Sequence, residues 1–143
     1  MSTMQWVAGG LAVVVAALFG TLYLWPDEAA ETAASSGGVA VAFDQAAADQ
    51  GKSVATSNGC LSCHTVDGSK SVGPTWKGTW GTTVDLGGEQ VKVDETFVKT
   101  AIVDPNAQVR DGFGPSMPTY EGKLSDDDIA AVTEYMKSLS GGG

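Results

Sequence analysis

Apolar positions along this chain fall into several patterns, each of which predicts a different kind of element. From Met1 to Pro26 there is no charged side chain, and the run Trp6 to Trp25 is apolar apart from Gly9, Gly10, Gly20, Thr21 and Tyr23. As a helix rising about 1.5 Å per residue, that run reaches roughly 30 Å, the thickness of bilayer hydrocarbon. Trp6 at one end, and Tyr23 with Trp25 at the other, are amphipathic rings suited to the two interfaces. A cleaved signal peptide is the alternative, but its apolar region covers only about 7 to 15 residues behind a positive flank, and no Lys or Arg precedes this run. Residues 1–25 are therefore expected to be a retained transmembrane anchor. Ala8, Ala12, Ala16 and Gly20 recur every fourth residue, either as a face for another helix or as the plain composition of an Ala-rich anchor.

Residues 26–42 (PDEAAETAASSGGVAVA) show no sustained apolar period and read as a flexible acidic linker. Beyond it, residues 43–143 carry helical periods separated by long loops. Asp44 is the expected N-cap of a helix running to about Ser57, with Asn58 and Gly59 as its stop. Gly51 inside that helix marks either close approach of another backbone, such as the last helix, or a break. Val84 and Leu86, then Val91 and Val93, alternate around Gly87 and Gly88, which predicts a short hairpin. Asp94 caps a helix through Val103, expected to bury Phe97, Ala101 and Ile102, with Pro105 ending it. Ser125 opens a last helix, with Asp126, Asp127 and Asp128 at the positive end of its dipole. Its apolar stripe is Ile129, Val132, Met136 and Leu139. The expected fold class is all-α.

With 143 residues, part of them membrane-like, the chain has room for one small domain. A domain this rich in Gly and Ala gains from a cofactor that fills its middle. The formal charge of −9 makes nucleic acid an unsuitable partner. It either steers basic patches of protein partners or simply keeps the surface solvated.

Cys60-Leu61-Ser62-Cys63-His64 has the C-x-x-C-H spacing by which two thiols join haem covalently and the histidine ligates its iron. These five residues hold every cysteine and the sole histidine of the chain. Zinc wants four N/S ligands where three exist, and iron–sulfur clusters generally need four cysteines. No βαβ pattern supports a thioredoxin-like pair, which leaves a plain disulfide as the alternative. With no second histidine, the other side of the iron falls to a methionine thioether. Met1 and Met4 precede the apolar run, and Met136 lies on the stripe of the last helix as packing. Met117 remains, between Pro115 and Pro118, which limit backbone freedom and hold a ligand at low entropic cost. Two filled axial positions leave no open site for a substrate, so electron transfer rather than catalysis is expected. A haem enzyme or gas-binding sensor with a labile Met117 is the alternative.

Phe43 to Leu139 resembles class I cytochromes c. The resemblance is carried by the Gly51 helix, the Cys60–His64 motif, Val72-Gly73-Pro74-Thr75-Trp76-Lys77-Gly78, Met117-Pro118 and the Tyr135-bearing last helix. Within that class it is most similar to the cytochrome domain fused to subunit II of bacterial haem-copper oxidases, through Asp104-Pro105-Asn106-Ala107 and the Leu124-Ser125-Asp126 that follows Met117-Pro118. No further Cys/His cluster exists for that subunit's copper domain. The resemblance implies helices packed around covalent haem c, the first crossing the last, and a Pro74 carbonyl that orients His64. It also implies Trp76 and Trp80 packed on the haem and Arg110 at a propionate. The family's maturation chemistry sets the domain on the periplasmic or extracellular side of the cell membrane. Implied partners are redox proteins: a quinol-oxidising complex, and a terminal oxidase or photosynthetic reaction centre.

Overall fold

The computed structural model describes residues 41–141; the apolar run and nearly all of the linker lie outside them. Among the described residues no helix is long and apolar enough to cross a membrane.

Helix α1 spans Gln45–Ser57. It starts where the Asp44 carboxylate accepts the Ala47 N–H at 2.7 Å, satisfying one of the donors that a first turn leaves unpaired. It stops at Asn58, followed by Gly59 in the left-handed region at φ 74°. A two-stranded antiparallel hairpin follows, β1 (Thr83–Leu86) and β2 (Glu89–Lys92), with Val84 opposite Val91. The two turn residues, Gly87 and Gly88, both have positive φ, as the twist of a tight hairpin requires. Helix α2 (Glu95–Val103) is capped by Asp94, whose carboxylate accepts the Phe97 N–H at 2.9 Å. Pro105 then opens a 3-10 turn over Pro105–Gln108. Helix α3 (Asp126–Ser138) begins with a reciprocal cap, in which Ser125 Oγ accepts from Asp128 N and Asp128 Oδ2 accepts from Ser125 N.

These helices and the hairpin confirm the elements expected from the sequence, including the helical class around a small core. On α1 the buried positions are Ala48, Gly51 and Ala55, a stripe of small residues at helical spacing. Against it lies α3, which buries Ile129, Ala131, Val132, Tyr135 and Met136. Gly51 marks a close approach and not a break: a Cβ there would lie 1.9 Å from the Ala131 carbonyl oxygen. Val93 from the hairpin end and Val98 and Ile102 from α2 complete the core.

One expected core face needs correction. Helix α2 buries Val98 and Ile102, whereas Phe97 and Ala101 are only half-buried, and all four border a cavity. Periodicity marks an apolar stripe but cannot tell a packed core from the wall of a cofactor site, because both demand apolar side chains.

Candidate haem site

The C-x-x-C-H segment opens at Gly59, whose left-handed conformation turns the chain out of α1 into a 3-10 turn over Cys60–Ser62. Cys63 N–H and His64 N–H both donate to the Cys60 carbonyl, at 3.2 and 3.0 Å. This curl brings both thiols to one cavity, where they are free and half-buried. Burial pushes the Cys60 thiol above its ordinary pKa, with a weaker opposing effect from a backbone hydrogen bond, so it is a neutral thiol at pH 7.

His64 is buried, and its Nδ1 lies 2.7 Å from the Pro74 carbonyl oxygen. A carbonyl can only accept, so Nδ1 carries the proton and Nε2 keeps its lone pair. Burial lowers the His64 pKa, partly opposed by that same carbonyl, and holds the ring in the neutral form that a metal needs. The loop returning to Pro74 is held by Gly73 N–H to the Cys63 carbonyl at 2.9 Å and Trp76 N–H to the Thr65 carbonyl at 2.8 Å. Gly73 sits directly on the imidazole: a Cβ there would fall 2.7 Å from His64 Cε1. Trp76 stacks on His64 with centroids 5.2 Å apart, and Tyr135 meets Trp76 edge-on at 6.1 Å.

The cavity is lined by Cys60, Cys63, His64, Pro74, Trp76 and, from the loop before α3, Met117. Phe97, Val98, Ile102 and Met136 give it apolar walls, and Arg110 supplies a cation at its lining. Of the residues expected at the site, Cys60, Cys63, His64, Pro74, Trp76, Arg110 and Met117 therefore meet at one cavity. Trp80 does not line it: its ring centroid lies 4.8 Å from the Lys137 ammonium nitrogen, and the Trp80 backbone N–H donates to Ser140 Oγ. The i+4 spacing from Trp76 does not bring it to the same place because residues 76–80 form a turn rather than a helix. The sequence reading missed Tyr120 and Phe97 as cavity residues; the aromatic three positions after Met117 was the available signal for Tyr120.

The site fits haem c. Two free thiols, an imidazole with a free Nε2 and a thioether share one apolar cavity, which is the donor set that covalent haem requires. It does not fit zinc, since among the described residues no three His, Cys, Asp or Glu side chains gather to hold a metal ion.

Comparison with known proteins agrees with this chemistry. The family model described as "Cytochrome c" matches residues 48–140. Cytochrome c6 of Euglena gracilis is 48% identical over 50 residues, which are 35% of this chain and 53% of that protein. Cytochrome c6 of Euglena viridis is 35% identical over 85 residues, 59% of this chain and 85% of that protein. The chain thus spans about half of the first relative and most of the second.

Proposed function

Because the chain belongs to the cytochrome c family and carries one covalent haem c, we propose that it is an electron carrier that passes single electrons between redox proteins. When bound, the haem supplies a one-electron ferric/ferrous couple. Cys60 and Cys63 would fix it through their sulfurs, and His64 Nε2 would ligate its iron. The 2.7 Å bond from His64 Nδ1 to Pro74 fixes the tautomer and the ring orientation, and strengthens the imidazole as a ligand. Met117 would hold the iron through its thioether, and a thioether raises the reduction potential. Phe97, Val98, Ile102 and Trp76 keep water from the iron and lower the reorganisation that each electron transfer needs. Val72, on the cavity lining and 60% exposed, offers an apolar spot where a partner can approach.

The observation that carries this reading is His64 Nδ1 bonded to Pro74 while both thiols and Met117 border the same cavity. Carbon monoxide added to the reduced protein tests it. An unchanged visible spectrum at neutral pH is expected; rapid binding would instead assign the protein to the haem enzymes or gas sensors. Met117→Ala is expected to bind carbon monoxide readily.

The run Trp6 to Trp25 supports a membrane anchor, and covalent haem supports a domain on the periplasmic or extracellular side. The partners in this reading are a quinol-oxidising complex as donor and a terminal oxidase or photosynthetic reaction centre as acceptor. The carrier works either as a tethered shuttle or as a fixed subunit, as the cytochrome domain of an oxidase subunit II does. Membrane fractionation of the full chain tests the anchor, and release of the haem protein by high salt alone would refute it.

A further inference from the structure

Two anchors hold the loop that carries Met117. Ahead of it, Asp111 N–H donates to the Asp85 carbonyl at 2.9 Å and Asp111 Oδ1 accepts from Gly87 N–H at 2.6 Å, which ties the loop to the hairpin. Behind it, Tyr120 N–H donates to the Ile102 carbonyl at 3.0 Å and Thr119 Oγ1 to the Val103 carbonyl at 2.5 Å. Between the anchors the backbone bonds are local, Phe113 to Arg110 and Ser116 to Gly114. Such a suspended segment belongs to the low end of local stability.

Among the described residues, one side-chain hydrogen bond joins this loop to the haem-attachment segment. Tyr120 Oη donates to the Asn58 carbonyl at 2.9 Å, across 62 positions of chain. Asn58 caps α1 two residues before Cys60, and Tyr120 follows Met117 by three. Tyr120 also lines the cavity, and Lys123 Nζ lies 5.7 Å from its ring centroid while donating to the Thr119 carbonyl. The hydroxyl thus closes the gap between the chain segment bearing Met117 and the one bearing Cys60, Cys63 and His64.

We propose that Tyr120 is a positioning residue whose bond to the Asn58 carbonyl sets how readily Met117 leaves the iron. The proposal rests on Met117 as the distal ligand. Tyr120 acts through Met117 without reaching the metal. Departure of the thioether requires its loop to swing outward, and a hydrogen bond from three residues away to the opposite segment resists that motion.

The test is the rate at which imidazole binds the ferric, haem-loaded full chain, since its entry waits for Met117 to leave. Tyr120→Phe keeps the ring and its packing and removes only the hydroxyl. It is expected to bind imidazole about five-fold faster than wild type, while keeping the resting Met–iron charge-transfer band. Ser125→Ala, which weakens the fold at the α3 cap, is expected to keep the wild-type rate. Equal rates in Tyr120→Phe and wild type would overturn the proposal, as would equal acceleration in Ser125→Ala, which would mean that global stability alone sets the rate. A wild-type protein without the charge-transfer band would instead refute Met117 ligation itself, and with it this inference.

Discussion

Gly51→Ala is expected to destabilise the protein even though alanine is the better helix former. In an exposed helix the exchange gains about 1 kcal/mol. Here the new methyl would meet the Ala131 carbonyl oxygen at 1.9 Å, the Ala131 carbonyl carbon at 2.4 Å and the Val132 nitrogen at 2.8 Å, all of them backbone atoms of α3 that cannot rotate away. Restoring ordinary contact requires α1 and α3 to part by about 1.5 Å, and a gap of even 1 Å forfeits up to about half of each dispersion contact along the seam. That seam includes Ala48, Ala55, Ala131 and Val132, all at most 4% exposed. Overpacking of this kind typically costs about 1–3 kcal/mol, occasionally more, and a 1.9 Å clash with fixed backbone belongs at the upper end, so the net loss comes to about 2 kcal/mol after the gain in propensity. For a domain of this size that lowers the melting temperature by about 5–15 °C. The assay is thermal unfolding of the haem-loaded protein, followed by far-ultraviolet circular dichroism and by the haem absorption. Ser53→Ala, on the exposed side of α1, is the control and should leave the midpoint unchanged or slightly raised. A Gly51→Ala midpoint equal to or above wild type would refute the close crossing of the two helices.

Gly73→Ala should press on His64 Cε1 from 2.7 Å while Pro74 holds Nδ1, so a tilted imidazole, a shifted haem spectrum and a lower yield of haem-loaded protein are expected. Ser125→Ala removes the reciprocal cap of α3 and should cost about 1 kcal/mol, read as a lowered urea midpoint at unchanged slope. Burial disfavours the Lys137 charge, but hydrogen bonds to Glu134 at 2.7 Å and Glu95 at 2.8 Å outweigh it and raise the lysine pKa. The folded pKa thus exceeds the unfolded one, so this stabilisation is complete below about pH 10 and is lost as the pH climbs through the folded value. Lys137→Met should flatten the alkaline fall in stability without abolishing it, because burial also raises the Tyr120 and Tyr135 pKa values, which act in the same direction.

Local chemistry by itself determined most of this protein. The C-x-x-C-H spacing, the caps at Asp44, Asp94 and Ser125, and the Gly87-Gly88 turn each involve groups within a few residues of one another, so their physics is complete in a short stretch of sequence. The α3 stripe was legible for the same reason, since a 3.6-residue period selects one face wherever the helix docks. The tertiary structure alone decided which apolar faces pack together and which surround the cofactor. It turned Phe97 and Ala101 to the cavity, set Trp80 against Lys137, and brought the Tyr120 hydroxyl to Asn58. Apolar side chains serve a core and a haem wall equally well, and a hydrogen bond spanning 62 residues leaves no periodic trace. Such partners become defined only when loops of fixed length close around packed helices.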